Sequence, residues 1–498
     1  MNITCSRISW ALAAALAAAA PVSAADTLPA RPENLQYGPL KFEVPQAEKY
    51  RHTLPGGVVV YVVEDHSLPL VNIDLNVRTG AFREPKDKPG LSGLTASMMR
   101  QGGTAKMTPA EFDERVDFIA ANIGSGAGDT GSSASLDVIT SALDEGLQLL
   151  FDMIKTPRFD EERLKVAKGS ILEGMKQRND DPDEILGREW GWLMRGRDWY
   201  GTRVVTKSEL DGIARQDLVD FHRRTWGPEA LVVEVSGDVT AKDILAKLGK
   251  HLAGWSAGEK SPWPPAPPAQ TPAPGLYHAE KDVPQGKISM GTLGLQWKDY
   301  GDPEMYAVQV MNDILGGGGF TARLMKRIRS DEGLAYGVGS GFGIGTFWPG
   351  TFRVGSASKS ETVALTMKIT MEEIEKMKQQ APTDEELRVS KNSFIDTFPR
   401  QFESPARIAS TFASDELVGR PHDYWTHYRE RFSAVTAEQV QAAAQKYLHP
   451  DQLTMLVVGK WTDIEAGDAN HRASMKDFYG GKVTHLPTRD PLTLEPVQ

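Results

Sequence analysis

The chain has 498 residues, of which 40% are hydrophobic and 24% charged, a composition typical of a soluble globular protein with two or more domains. Its formal net charge is −10 and it has no prominent run of Lys or Arg, which argues against nucleic acid or an anionic membrane surface as a partner. The single cysteine, Cys5, lies within the first 24 residues, so the rest of the chain can form no disulfide and no thiolate metal site or nucleophile.

Residues 1–24 have the pattern of a cleaved secretory signal peptide. A short polar start containing Arg7 precedes an apolar run from Trp10 to Ala20 and a small-residue cleavage site at 22–24. A membrane anchor is the alternative, but the apolar run is too short to span a bilayer comfortably. Cleavage removes one Arg and no acid, which changes the net charge from −10 to about −11. The alanine-rich signal favours a bacterial protein, and therefore a periplasmic location.

The first half of the remaining chain has an α+β pattern. Two apolar stretches predict strands at 56–65 and 70–80, which we expect to be antiparallel neighbours, and a helix is expected from about Gly90. Thr108, followed three residues later by Glu111, predicts a capped helix. The remaining predictions are strands within 125–141 and helices at 142–155 and 160–178.

A proline-rich segment divides the chain into two halves that repeat one another. Residues 254–275 predict an extended, semi-rigid linker. Residues 213–239 align without a gap with residues 435–461, each reading as a helix, a proline-containing turn and a buried strand that ends at Gly. We therefore predict a first domain at 40–253, a second at 276–465 and a C-terminal tail at 466–498, each domain being an antiparallel sheet covered by helices.

The chain resembles the pitrilysin or insulinase-like metallopeptidases, a family that includes the mitochondrial processing peptidase. The resemblance covers nearly all of the chain after the signal peptide, and it rests on the opening strand-strand-helix order and on the stretches at 159–186, 199–239 and 315–342. It implies two duplicated pitrilysin-like domains, which form half of a clamshell around a peptide chamber.

The zinc motif of that family is degenerate here. Active members carry H-x-x-E-H on the helix after the second strand, with two His ligands on one helical face and a Glu that activates water. The corresponding residues are Gly93, Ala96 and Ser97, so no ligand remains among them. The resemblance therefore predicts no metal site in this chain.

Other possible metal ligands are isolated in the sequence. Glu173 stands about where the family places its third ligand, and it is either a retained ligand or an ordinary carboxylate on a helix surface. None of the ten histidines pair at i, i+4, and His422 and His427 are five apart, which argues against a metal site there.

The second half retains a motif, IRSDEGLAYGV, that the family uses at its active site. The resemblance assigns catalytic roles to Arg329 and Tyr336, which reach toward the zinc from the facing domain. A guanidinium and a phenol O–H could stabilise a developing oxyanion or hold the peptide backbone. Outside that resemblance, Arg329 would belong to a solvated helix face and Tyr336 to a half-buried strand.

Four consecutive glycines, Gly316, Gly317, Gly318 and Gly319, precede this motif. They lack the Gly-Lys-Ser/Thr continuation of a phosphate-binding loop. Two interpretations stay open: a helix C-cap followed by a tight turn, or a flexible segment that contacts substrate, as the resemblance to the longer loop of the non-catalytic processing-peptidase subunit implies.

The predicted function is that of a zinc-free subunit of a heteromeric zinc peptidase. The resemblance implies a homologous partner that carries H-x-x-E-H and binds the zinc, with Arg329 and Tyr336 supplied by this chain and an unstructured peptide as the substrate. The alternative is a peptide-binding or scaffolding pseudoenzyme, in which both residues are structural.

Overall fold

The computed structural model describes Arg31, Leu35 and residues 42–256, 258–268 and 271–497. The predicted signal peptide at residues 1–24 lies outside this part of the chain. Within it, no helix has the length and apolar character needed to cross a membrane. Residues from Val44 onward form one compact unit.

The first domain combines one six-stranded sheet with helices packed on it. Its strands are β1 (Arg51–Thr53), β2 (Val59–Glu64), β3 (Leu70–Val77), β4 (Asn122–Ala127), β5 (Ser132–Ile139) and β6 (Leu231–Gly237). Its helices are α1 (Leu91–Gln101), α2 (Pro109–Phe118), α3 (Leu143–Lys155), α4 (Glu161–Gln177), α5 (Pro182–Arg195), α6 (Lys207–Gly212), α7 (Arg215–Thr225) and α8 (Ala241–Leu252).

The second domain repeats this arrangement with a second six-stranded sheet and a small two-stranded one. Its strands are β7 (Gly275–Glu280), β8 (Gln285–Leu293), β9 (Leu295–Gln296), β10 (Val338–Phe342), β11 (Ile344–Gly345), β12 (Thr351–Lys359), β13 (Thr454–Gly459) and β14 (Val483–Leu486). Its helices are α9 (Pro303–Asn312), α10 (Val363–Gln379), α11 (Asp384–Thr397), α12 (Pro405–Val418), α13 (Tyr428–Ser433), α14 (Ala437–Tyr447) and α15 (Trp461–Ala466).

Local sequence signals explain many of these boundaries. The Thr108 side chain accepts from the Glu111 backbone N–H, and the Glu111 carboxylate accepts from the Thr108 backbone N–H at 2.8 Å, which confirms the predicted capping box of α2. In β3, alternate residues are buried in the core, so Ile73 and Leu75 face the helices while Asp74 lies on the opposite face.

The two large sheets have matching strand orders. The first is β1-β2-β6-β3-β5-β4 and the second is β14-β7-β13-β8-β12-β10. Strands β6 and β13, which end the two stretches that align in sequence, occupy the same position, and this supports the duplication. The sheets are mainly antiparallel, with parallel pairs at β2–β6, β7–β13 and β7–β14.

One predicted pairing is wrong. Strands β2 and β3 are not neighbours, because β6 lies between them, parallel to β2 and antiparallel to β3. The sequence places β6 more than 150 residues after β3, and periodicity within a strand does not identify its partners.

Each domain covers the second face of the other domain's sheet with one helix. Helix α5 of the first domain packs Leu186, Trp190 and neighbouring residues on Leu456 of β13. Helix α12 of the second domain lies across β2 and β6, with the Phe412 ring 6.0 Å from the Tyr61 ring. This exchange joins the two domains through buried apolar surface.

The C-terminal segment is a structural connection between the domains. Strand β14 takes the edge position that β1 holds in the first sheet, and the chain then crosses to the first domain; we call residues 483–497 the strap. Arg489 Nε of the strap lies 2.9 Å from Glu189 Oε1 of α5, and both side chains are at most 5% exposed. Asn179 Nδ2 donates to the Arg489 carbonyl at 2.8 Å, and the Lys207 backbone N–H donates to the Leu492 carbonyl at 2.8 Å.

Candidate functional site

Helix α1 keeps the packing of a core helix but carries no metal-binding side chain. Met98 and Ala96 are fully buried, and the Ala96 carbonyl accepts a 2.6 Å hydrogen bond from Ser125 Oγ on β4. Gly93 is exposed with open space where a side chain would lie, and Ser97 is half-buried. The three positions of the family's zinc motif therefore present neither an imidazole nor a carboxylate.

Glu173 is an exposed carboxylate on α4. Its side chain is 66% exposed, and Lys176 Nζ donates to it at 2.7 Å. Among the described residues, no three His, Cys, Asp or Glu side chains converge closely enough to hold a metal ion. The residues that the resemblance assigns to zinc do not fit that ion, because a structural or catalytic site needs three or four such ligands.

His422 and His427, the two histidines five residues apart in the second domain, lie next to different carboxylates. His422 lies 3.4 Å from Glu48 and 3.5 Å from Glu416. His427 lies 3.6 Å from Glu430. These are partly exposed ion-pair geometries, which contribute little to stability and do not bring the two rings to a common point.

Arg329 and Tyr336 lie together, as the motif predicts. Arg329 is in a π-helical segment, Met325–Asp331, where the sequence predicted an ordinary helix, and its Cζ lies 4.7 Å from the centroid of the Tyr336 ring. Its Cζ is also 4.8 Å from the centroid of the Phe320 ring. Tyr336 is 87% exposed and Phe320 is 72% exposed. Two aromatic rings and one cation therefore form a patch on the surface of the second domain, which we call the Arg329 patch (Phe320, Arg329 and Tyr336).

Arg329 differs from the arginines around it in its partners. Arg323 donates to Glu386 at 2.7 and 2.9 Å, and Arg327 donates to Glu332 at 2.6 Å. Within the part of the chain that the structure describes, no carboxylate or carbonyl accepts from the Arg329 guanidinium. None of these residues therefore competes for its N–H donors with a molecule from outside the chain.

The four glycines form a packed turn beside this patch. They run from the end of a π-helical segment, Asp313–Gly317, into a short 3₁₀ turn, Gly319–Thr321. A Cβ on Gly316 would lie 2.6 Å from the backbone nitrogen of Ser340, and the Gly318 N–H donates to the Asp313 carbonyl at 2.8 Å. This geometry agrees with a tight turn, and contact of the glycines with substrate stays a prediction.

Sequence reasoning did not identify Phe320. It is a large apolar residue directly after four glycines, at a position where a surface turn would ordinarily be polar. Phe320 lies between the two π-helical segments of the described chain, Asp313–Gly317 and Met325–Asp331. Such segments are frequent at functional sites.

Comparisons with known proteins agree with the fold. A family model for insulinase (peptidase family M16) matches residues 59–189, and one for the peptidase M16 inactive domain matches residues 212–394. A Mycobacterium leprae protein named as an uncharacterized zinc protease is 26% identical, over 80% of this chain and 89% of its own. A Helicobacter pylori protein named as a non-peptidase homolog is 24% identical, over 80% of this chain and 91% of its own.

Among solved structures, the peptidase M16 inactive domain from Pseudomonas fluorescens has the same fold. It superposes with a TM-score of 0.73 at 24% identity, covering 82% of this chain and 98% of its own. Fold and site thus define a two-domain protein of metallopeptidase architecture without the zinc ligands of its motif. The two family matches span well over half of the chain, which therefore belongs to peptidase family M16.

Proposed function

We propose that this chain is the zinc-free subunit of a two-chain peptidase and that it supplies Arg329 and Tyr336 to a peptide held against a homologous partner. The partner carries H-x-x-E-H and the zinc. The observation that carries the proposal is the Arg329 guanidinium, which has no acceptor among the described residues and lies beside a Tyr336 ring that is 87% exposed.

The chemistry of the pair suits peptide hydrolysis. A guanidinium and a phenol O–H are hydrogen-bond donors, and both can point at the carbonyl oxygen of the peptide bond being cleaved, where negative charge develops. Arg329 can bind such an acceptor without first breaking an ion pair to any of the described residues. The substrate class is unstructured peptide, and the predicted signal peptide leads us to propose the periplasm as the location.

The vacant ligand positions support a non-catalytic role for the chain on its own. Gly93 and Ala96 cannot bind a metal through side chains, and Ser97 offers only a hydroxyl. The relative named as a non-peptidase homolog is consistent with such a role.

The first experiment is isolation of the chain from its native host under gentle conditions, followed by identification of what accompanies it and measurement of zinc. We expect a second chain bearing H-x-x-E-H, about one zinc per pair, and peptidase activity that neither chain has alone. A solitary, zinc-free and inactive protein would contradict the proposal and would favour a binding or scaffolding role.

Variants of the assembled complex test the roles of the two residues. We expect Arg329→Ala and Tyr336→Phe each to lower kcat about 100-fold or more, with a smaller change in KM, as for the loss of one oxyanion donor. Arg223→Ala is a matched control, because Arg223 is 74% exposed on α7 and its ion-pair partner among the described residues is its helix neighbour Asp220. Unchanged kinetics in both site variants would refute the assigned roles.

A further inference from the structure

We propose that Phe320 is a positioning residue that holds the Arg329 guanidinium in place through its ring. The inference rests on the proposed function of Arg329 and extends it to a residue outside the Arg/Tyr motif. Its basis is the juxtaposition of the 72% exposed Phe320 ring with Arg329 Cζ at 4.8 Å.

The exposure of Phe320 needs a reason, because a phenyl ring gains free energy from burial. Phe320 belongs to neither of the two main cores, although it follows directly on the packed turn of Gly316–Gly319. Gly319 has φ +62°, a left-handed conformation that glycine adopts without strain. The turn thus directs a large apolar ring onto the surface and against a cation.

Aromatic contact suits this arginine better than an ion pair would. A carboxylate, such as those that hold Arg323 and Arg327, occupies the N–H donors of its arginine. An aromatic ring contacts the π face of the guanidinium and leaves the N–H donors in the guanidinium plane free. Phe320 and Tyr336 therefore restrict the motion of Arg329 without competing with a substrate oxygen.

The first domain contains a natural comparison. Phe118 is 75% exposed, and Arg115 Cζ lies 4.7 Å from the centroid of its ring, but Arg115 is also paired with Glu145. The same aromatic contact thus occurs there on an arginine whose donors are already used. Phe118→Leu is accordingly a matched control for Phe320→Leu.

The direct test is NMR of the purified full chain with ¹³C-labelled arginine, in which Arg329→Lys assigns the Arg329 signals. We expect ring currents from the adjacent Phe320 and Tyr336 rings to shift the NMR signal of the Arg329 δ-CH₂ protons. We expect Phe320→Leu to move this signal toward the value of an unstacked arginine, Phe320→Tyr to retain it, and Phe118→Leu to leave it unchanged. An Arg329 signal that is the same in Phe320→Leu and in the parent chain would overturn the proposal.

Kinetics of the two-chain complex give an independent readout. The free energy of an exposed cation–π contact corresponds to a factor of about two to five in an equilibrium constant. We therefore expect Phe320→Leu to lower kcat/KM about two- to five-fold and Phe320→Tyr to keep the value of the parent chain. In an Arg329→Ala background, Phe320→Leu should have no further effect. Equal losses in both backgrounds would overturn the positioning role.

The two readouts separate this proposal from the proposed function. If Arg329→Ala leaves activity unchanged, the catalytic role of Arg329 fails, and the NMR shift still decides whether Phe320 holds the side chain. If the shift is absent while Arg329→Ala lowers kcat as expected, the function stands and the positioning role of Phe320 is wrong.

Discussion

The buried ion pair between the strap and α5 offers a quantitative test of how the two domains are joined. Arg489 Nε and Nη2 lie 2.9 and 3.4 Å from the Glu189 carboxylate, and Arg188 Nε lies 3.3 Å from the same group. The side chains of Arg489, Glu189 and Arg188 are 4%, 5% and 8% exposed. The substitution Glu189→Gln removes the negative charge and leaves two buried guanidinium groups without it.

The expected loss follows from these distances. Two unit charges 2.9 Å apart attract by about 6 kcal/mol at an effective dielectric constant of about 20. Desolvation offsets part of this attraction in the intact pair, but removal of one partner from a buried pair typically costs about 3–5 kcal/mol. Because about 1.4 kcal/mol corresponds to a tenfold change in an equilibrium constant, the equilibrium constant for opening of the strap should increase by roughly two to three and a half powers of ten.

Hydrogen exchange measured by mass spectrometry is the assay, because it reports local opening of residues 483–497 directly. We expect amide protection in the strap to fall by that factor in Glu189→Gln, while the core strands β3 and β5 keep theirs. Glu184→Gln on the exposed face of the same helix is the control. Strap protection within three-fold of the parent chain would refute the reasoning, because it would mean that the ion pair does not hold the strap.

Three further predictions concern pH and packing. Burial and the neighbouring Asp74 raise the pKa of Glu234 from 4.5 to about 7, so the free energy of unfolding should fall as pH rises between those values. Urea unfolding at pH 5 and pH 8 measures this fall, and Glu234→Gln should make it smaller by about 1–3 kcal/mol. An identical pH dependence in both proteins would contradict this. His278 Nε2 donates to the Gly459 carbonyl at 2.9 Å, so its Nδ1 accepts from His485 Nδ1 at 3.0 Å, and burial lowers its pKa below 6.5. As pH falls below 6.5, protonation of His278 favours the state in which β14 is detached from β7. Amide protection factors in β14 should therefore drop between pH 7.5 and 5.5, and constant protection factors would argue against this contact. Gly316→Ala places a methyl group 2.5 Å from Ser340 Oγ, so it should lower the free energy of unfolding by about 1–3 kcal/mol, measured by thermal unfolding. A loss below about 0.5 kcal/mol would show that the turn adapts to the methyl group.

Local sequence signals were sufficient for several elements of the fold. Alternating apolar residues predicted β3, and Thr108 with Glu111 predicted the start of α2, because both signals depend on residues within a few positions. The halves could be recognised as duplicates from one gapless alignment, and the matching strand orders agree with it. The resemblance to the family placed its zinc motif at Gly93, Ala96 and Ser97, and the sequence alone shows that no His or Glu stands at these three positions.

Only the tertiary structure determined which distant segments meet. The insertion of β6 between β2 and β3, the exchange of α5 and α12 between the domains, and the crossing of the strap to Glu189 all join segments far apart in the chain. The contact between Phe320 and Arg329 depends on a turn and two π-helical segments that no periodicity signals. Short-range patterns therefore predicted many of the elements, and the family resemblance located the three motif positions that lack His and Glu. The partners of each surface followed instead from burial of apolar area and pairing of charges in three dimensions.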